Sequence, residues 1–433
     1  MYAESTPHGT GGISLVRISG PNTSAVLSRI CSRRSFAPHV QHLTVLRDEA
    51  GATVDQVTVV FNPQPRSYTG EDLAEIGCHA NPIVVERILG VIASTGLARR
   101  AAPGEFTMRA FLNGKMDLVQ AEAVRAFIES TTDAGCDMAR RLLEGGLSSR
   151  IKKLRASISE ILADIEASFI SEDEVVAAEE LAARIEPLAA ELAGMSGDAC
   201  RGLKVYGGVT TTIAGLPNVG KSSLFNAIVG SDRAIVHHEE GTTRDVIRER
   251  VTIDGMDFLF HDTAGIRTTP SGPEQAGVER AIAAVKASDL LLYVVDARVG
   301  LQPHESQWLG LGGTTILVVN KIDLVKEPAI TETGYRTVMV SAKHSTGIDA
   351  LKSAMVETFR PANPEVFLDR HAHLLSEASR HLDSCLSALS QGMTLDVASI
   401  ELSGALRALG AITGESADMD ILEQVFSRFC IGK

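Results

Sequence analysis

The chain has 433 residues, and at roughly 150 residues per domain that length suggests about three domains. Its 41 basic and 54 acidic residues leave a net charge of −13, which argues against indiscriminate nucleic-acid binding while leaving a local basic patch open. Hydrophobic residues at 44% exclude global disorder, and aromatics at 4%, with one Trp, argue against a protein built on base-stacking platforms. Six scattered cysteines (Cys31, Cys78, Cys136, Cys200, Cys385, Cys430) form no CxxC pair, which reads as reduced and cytoplasmic. The N-terminal stretch lacks the charged leader and apolar core of a signal peptide. No membrane span is expected, because the longest apolar runs, such as Leu290 to Val295, stop at a polar residue (here Asp296) and are strand-sized.

In chain order, residues up to about 113 mix a strand-like alternation at Val54 to Phe61 with frequent turn residues, and read as a compact α+β unit. From Asp117 to about Gly197 glycine is sparse. Ile151, Leu154, Ile158, Ile161, Leu162 and Ile165 share one helical face. From about Val205 strands alternate with helices. The strands are expected at Val209 to Ala214, Val246 to Ile253, Met256 to His261, Asp289 to Val295, Thr315 to Val319 and Thr337 to Val340. The helices are expected at Lys221 to Val229, Gln275 to Ala287 and Ile348 to Phe359. This alternation predicts a mostly parallel sheet covered by helices, with one antiparallel strand entering through the Asp254-Gly255 hairpin. Beyond Pro361 and Pro364 helical texture returns, with faces at Leu375, Leu382, Leu386, Leu389 and at Leu402, Leu406, Leu409. A last amphipathic helix is expected through Ile421, Leu422, Val425, Phe426 and Phe429. An α/β unit flanked by helical stretches reads as one helical domain interrupted by an inserted domain.

Gly215-Leu-Pro-Asn-Val-Gly220-Lys221-Ser222 fits G-x4-G-K-[ST] between a strand and a helix. Its glycines let backbone N–H groups of Asn218, Val219, Gly220, Ser222 and Ser223 face a phosphate. Lys221 would reach the outer phosphates, and the Ser222 hydroxyl would ligate Mg2+. Asp262-Thr263-Ala264-Gly265 ends the second hairpin strand, where the Asp would hold Mg2+ through water. Asn320-Lys321-Ile322-Asp323 and Ser341-Ala342-Lys343 follow the next buried strands. The Asp323 carboxylate accepts two hydrogen bonds from guanine, whereas adenine lacks both donors and would leave it unpaired. These motifs, in this order at strand ends, specify a guanine-nucleotide-binding domain.

Gly241-Thr242-Thr243-Arg244-Asp245 lies where a switch loop brings a Thr, here Thr243, to Mg2+. The preceding His237-His238-Glu239-Glu240 reads as a solvated loop rather than a zinc site, since a fourth ligand is missing. Small Ras-like GTPases place a water-orienting Gln after DTAG; Ile266 stands here and cannot hydrogen-bond water. Asn218 is a candidate ligand for a monovalent cation. Glu274 is a candidate water-orienting acid, although on spacing alone it reads as an ordinary loop carboxylate.

Further motifs surround this domain: Arg17-Ile18-Ser19-Gly20, Tyr68-Thr69-Gly70-Glu71-Asp72, Pro103-Gly104-Glu105-Phe106-Thr107, Arg109 to Lys115 (RAFLNGK), Gln120-Ala121-Glu122-Ala123 and the terminal Phe429-Cys430-Ile431-Gly432-Lys433. On these, along nearly its whole length, the sequence closely resembles the tRNA-modification GTPase MnmE (TrmE) family. The resemblance implies an N-terminal tetrahydrofolate-binding and dimerisation domain (1–113), a helical domain in two parts (114–203 and 360–433) and an inserted Ras-like P-loop G domain (204–359). It implies a homodimer that joins an FAD-dependent partner, MnmG (GidA), in a heterotetramer. Together they would attach a carboxymethylaminomethyl or aminomethyl group to C5 of the wobble uridine of certain tRNAs, using a one-carbon unit from 5,10-methylene- or 5-formyl-tetrahydrofolate. Residue by residue it implies a folate pocket at Arg17, Glu75, Lys115 and Lys433. It implies a K+ cage at Asn218, His237, Glu239 and Thr242, with His238, Glu240, Gly241 and Thr243 in the same nucleotide-binding loop. Glu274 becomes the catalytic acid, and Cys430 either a functional residue of the modification chemistry or a thiol tucked beside the final helix.

The sequence departs from the family in three places, one being His237 and Glu239, which differ from the common residues although backbone carbonyls can serve regardless of side chain. The family's start is longer, with a strand before the Thr6-Pro7 region, whereas this chain begins abruptly. Cys78-His79-Ala80-Asn81-Pro82 stands where Cys-His-Gly-Gly-Pro is common. A competing reading is a ribosome-assembly or regulatory GTPase switch, but a KH-type GXXG module is not seen downstream of the G domain. Basic residues at Arg140-Arg141, Arg150, Lys152-Lys153 and Arg155 read as solvated helix faces that would also suit tRNA.

Overall fold

The computed structural model describes residues 1–170, 177–230, 234–238, 248–261, 282–329, 334–362, 368–416 and 419–433. The chain divides into two compact units, one of Met1–Arg125, Leu143–Lys152 and Gly410–Lys433, the other of Ala126–Leu142 and Lys153–Leu409.

The first unit carries the expected α+β texture. Strands β1 (Tyr2–Glu4), β2 (Ile13–Ser19), β3 (Gln41–Arg47), β4 (Thr53–Asn62) and β5 (Leu73–His79) form an antiparallel sheet in the order β1-β2-β5-β4-β3. Alternation along β2 and β4 sends Val16, Ile18, Val57 and Val59 to one buried face. There they meet Val26, Leu27 and Ile30 of the helix Thr23–Ile30 and Val85, Ile88 and Ile92 of the helix Pro82–Ser94. Each such side chain, fully buried, contributes roughly 1.5–3 kcal/mol.

Two expectations change here. Tyr2–Glu4 is itself a strand that precedes Thr6-Pro7 and pairs with β2. The Ala80-Asn81-Pro82 departure is a helix start: the Asn81 side chain accepts from the Ile83 N–H at 2.9 Å and Pro82 occupies the first helical position. The last amphipathic helix runs Met419–Phe426 and stops before Phe429. That ring is nevertheless buried, 5.5 Å from Phe426, in a cluster with Leu118, Ala121 and Leu422. The chain then folds onto the N-terminal residues: the Ser5 hydroxyl donates to the Gly432 carbonyl at 3.0 Å, and the Phe106 N–H to the Lys433 carbonyl at 3.2 Å.

The second unit contains the predicted mixed sheet. Its strands are β6 (Val209–Ala214), β7 (Ala234–His238), β8 (Arg248–Ile253), β9 (Met256–His261), β10 (Leu290–Asp296), β11 (Thr314–Asn320) and β12 (Arg336–Val340), in the order β12-β11-β10-β6-β9-β8-β7. From β12 to β9 all neighbours are parallel, and β8 runs against both β7 and β9. The β8–β9 turn has positive φ at both Asp254 (46°) and Gly255 (77°), as a two-residue hairpin requires. One expectation fails: His237 and His238 belong to β7, an edge strand, rather than to a loop. The helix Ala178–Gly207, before this sheet, packs along Asp369–Ser390, after it; the G domain is therefore inserted in a helical domain.

Candidate functional site

Strands β10, β11 and β12 end in register, with Asp296 beside Asn320 and Asn320 beside Val340. The loops that follow must therefore emerge side by side, at the edge where parallel sheets bind ligands. The phosphate loop leaves β6 next to them. Gly215 passes so close to β10 that a Cβ there would lie 2.2 Å from the Val294 carbonyl oxygen. Gly220 has φ +101° and caps the helix Lys221–Val229; a Cβ there would lie 2.4 Å from the Asn320 side-chain nitrogen. The loop thus ends at a helix N-terminus, where unpaired N–H groups and the helix dipole favour an anion.

Lys221, half-buried, donates from Nζ to the carbonyl oxygens of Gly215 and Leu216, both at 2.9 Å, and burial lowers its pKa. Ser222 and Ser223 follow in the first helical turn, Val219 is buried and Asn218 is exposed with φ 64°.

Asn320 is the structural keystone. Its Nδ2 donates to the Val219 carbonyl at 2.9 Å, while its Oδ1 accepts from the N–H groups of Ala342 (3.0 Å) and Lys321 (2.8 Å). One buried amide thereby ties the phosphate loop to both base-recognition motifs. Lys321 adds a second tie, from Nζ to the Asn218 carbonyl at 2.5 Å and to Asp296 Oδ2 at 2.9 Å. Asp323 accepts from the Ser341 hydroxyl at 2.5 Å and lies 3.8 Å from His344 Nε2. The Ser341 bond is the main cause that holds its carboxyl below the usual Asp value. It stays ionised, as an acceptor for two guanine N–H groups must. Lys343 is exposed at the rim.

Glu239, Glu240, Gly241, Thr242, Thr243, Asp262, Thr263, Ala264, Gly265, Ile266 and Glu274 lie outside the described residues, as do the side chains of His237 and His238.

In the first unit, Arg17 Nε donates to Glu75 Oε1 at 2.9 Å, and its guanidinium sits 5.6 Å from the centre of the Tyr68 ring. The Lys433 pKa is lowered by burial and by Arg17, against the opposing influence of Cys430 and Glu75. Four sequence-predicted residues (Arg17, Glu75, Cys430 and Lys433) are therefore close enough to interact electrostatically. Lys115 makes its bond elsewhere, to the Pro65 carbonyl at 3.0 Å. Cys430 is exposed, so the reading of a thiol tucked beside the final helix does not hold.

Sequence reasoning missed two sets of residues. One is Asp296, whose only signal was a carboxylate closing an otherwise apolar strand. The other is the Glu71–Arg109–Glu105–Arg99 chain of ion pairs, with Arg109 2.8 Å from Glu71 and Arg99 2.6 Å from Glu105.

A phosphate loop, an Asn-Lys-x-Asp loop and a Ser-Ala-Lys loop joined at the carboxyl edge of this sheet define a P-loop guanine-nucleotide-binding protein. The family model of the GTP-binding protein TrmE N-terminus matches residues 1–115, and that of the MnmE helical domain matches residues 118–430. The chain is 37% identical to the tRNA modification GTPase MnmE of Thermotoga petrophila, over 100% of this chain and 99% of that protein. To the protein of the same name from Geobacter metallireducens it is 39% identical, with the same coverage. Among solved structures, the G domain of the Thermotoga maritima FeoB iron transporter is 26% identical over 34% of this chain and 97% of its own, at a TM-score of 0.25; the fold assignment rests on strand order instead. The chain belongs to the MnmE family of tRNA modification GTPases. Among the described residues, no helix is long and apolar enough to cross a membrane.

Proposed function

We propose that this protein is a cytoplasmic, potassium-stimulated GTPase that acts on tRNA. With an FAD-dependent MnmG-type partner it installs a carboxymethylaminomethyl or aminomethyl group at C5 of the wobble uridine. The observation that carries the nucleotide half is the Asn320 bridge, which holds the phosphate loop against the loop bearing Asp323. In this reading Lys221 turns from its loop carbonyls to the outer phosphates, and the helix N-terminus receives their charge. Asp323 selects guanine. The hydroxyl of Ser222, with Thr243, suits a hard cation such as Mg2+, which neutralises phosphate charge. Asn218 offers a neutral amide oxygen suited to K+, with His237, Glu239 and Thr242 completing the cage and Glu274 orienting water.

In the first unit, Arg17, Glu75 and Lys433 offer paired charges of both signs, which fit the pterin edge and glutamate tail of a tetrahydrofolate. The family resemblance adds Cys430 and Lys115, although here Lys115 bonds the Pro65 carbonyl. Bound folate supplies the one-carbon unit. The N-terminal domains pair two chains, and domain limits at 113, 203 and 359 follow from the same reading.

Mass spectrometry of tRNA nucleosides from a strain lacking this gene tests the proposal. Loss of the modified wobble uridine supports it, and an unchanged profile refutes it. GTP turnover in KCl against NaCl at matched ionic strength tests the cation separately; equal rates remove K+ from the mechanism.

A further inference from the structure

Among the described residues, the cation that ties the base-recognition loop to the phosphate loop has one carboxylate partner, and that residue belongs to neither loop. Asp296 closes β10, a strand buried along its whole length, and lies in register with Asn320. Its Oδ2 is 2.9 Å from Lys321 Nζ, and that ammonium donates in turn to the carbonyl of Asn218 inside the phosphate loop. Asp296 is itself fixed. It accepts from the Arg298 backbone N–H at 3.0 Å and from the Arg298 guanidinium at 2.9 Å and 2.7 Å, and it is almost completely buried. The direction of its pKa agrees with this setting: hydrogen bonds from Arg298, and then Lys321, hold it far below the usual Asp value. These bonds favour the ionised form of the Asp296 carboxyl.

The geometry is directional. Lys321 has φ 67°, a left-handed backbone that a Lys rarely adopts, so its side chain leaves the loop along a constrained path. A lysine stem is flexible, and ordering one costs rotamer entropy. A buried, immobile carboxylate at the end of a core strand offsets that cost before any nucleotide arrives. Without it, the ammonium gains more by turning to water than by staying on one carbonyl, and Asn218 loses its tether.

We propose that Asp296 is a positioning residue for nucleotide binding: through Lys321 it holds the Asn218 turn of the phosphate loop in the shape that receives phosphate. The proposal rests on the guanine-nucleotide reading of the site, and goes beyond it by placing a determinant of nucleotide residence time on β10, outside every recognition motif. Arg298 is the counterpart that discriminates. It binds the same carboxylate but bonds no described group of either loop, and Arg298→Ala keeps the backbone N–H bond to Asp296, so loss of the guanidinium leaves the Asp296–Lys321 pair in place.

The test is stopped-flow release of a fluorescent GDP analogue from the full chain, with melting temperature measured without nucleotide. Asp296→Asn, nearly isosteric, is expected to release GDP about tenfold faster, as loss of one charge-assisted hydrogen bond implies. Arg298→Ala is expected to stay within about twofold of wild type. Lys321→Met is expected to be fast, and adding Asp296→Asn to it to cause little further change, because the second residue acts through the first. Should Asp296→Asn not fold, Asp296→Glu, which displaces the carboxylate by one methylene, is expected to give an intermediate rate. Wild-type release from the Asp296 variants, or additive effects in the double variant, would overturn the proposal. So would equal effects of Arg298→Ala and Asp296→Asn that track the melting temperature. A wild-type protein that fails to bind GDP would instead overturn the nucleotide reading itself.

Discussion

In the second unit the polar motif residues bond the main chain of neighbouring loops and keep one functional end for a ligand. Asn320 holds Val219 and Ala342, while Asp323 and Lys221 remain able to meet a base and a phosphate. In the first unit the equally distinctive motifs are largely consumed by each other. Glu71 and Glu105 share Arg109, Ser19 bonds both Thr69 and Glu71, Tyr68 bonds Thr107, and Asn113 donates to the Thr69 carbonyl at 2.7 Å. A recurring polar motif thus has two physical uses: in one unit it organises a site, and in the other it fastens turns to a sheet. Among the described side chains of the first unit, Arg17 and Glu75 bond each other outside that network, and Arg17, Glu75 and Cys430 influence the charge of Lys433.

The difference can be broken by substitutions that act on one unit alone. The largest effect is expected from Arg109→Ala, which leaves Glu71 and the nearly buried Glu105 without their shared cation. Because Glu105 keeps Arg99 and the Ala102 N–H, the cost is about 3 kcal/mol, the low end for breaking a buried pair, read as lost hydrogen-exchange protection at Ile18 and Ile76 with GDP affinity unchanged. Lys221→Ala should do the reverse, weakening GDP at least roughly 100-fold (about 2.7 kcal/mol) by calorimetry without altering protection in the first unit.

Acid acts on both units through depressed carboxyls, and Glu105 isolates the share of the first. Burial alone would raise the Glu105 pKa, but bonds from Arg99, the Ala102 N–H and Arg109 bring it down from 4.5 to about 2. A carboxyl depressed in the folded state stabilises above its unfolded pKa, and that contribution is lost as pH falls from about 4.5 towards 2. The first unit should lose on the order of 2–3 kcal/mol over that window, and Glu105→Gln should flatten the profile there. The smallest effect is that of Asn81→Ala, which removes a helix cap. It should cost the first unit about 1 kcal/mol in urea unfolding, leaving nucleotide release untouched.

Much of the second unit was legible because its signals are local. A glycine-rich turn between β6 and a helix, an Asp-Gly hairpin and apolar runs ending in polar triplets each fix structure within about ten residues, and the sheet order follows from parallel pairing. β7 was hidden because a five-residue edge strand containing His237 and His238 carries almost no alternation. The bond from Ser5 to the Gly432 carbonyl joins positions some 400 residues apart, and Phe429 packs with the distant Leu118, so periodicity could not reveal either contact. The Arg109–Glu71 pair joins separate elements and was invisible for the same reason, and so was Asp296, whose partner Lys321 sits in the loop after the next strand.

A competition experiment on the full chain bears most directly on the guanine site: displacement of a bound fluorescent GDP by unlabelled GDP and by ADP. GDP should displace it fully at concentrations where ADP displaces none. Equal displacement by the two would mean that Asp323 and the loops braced by Asn320 do not read the base.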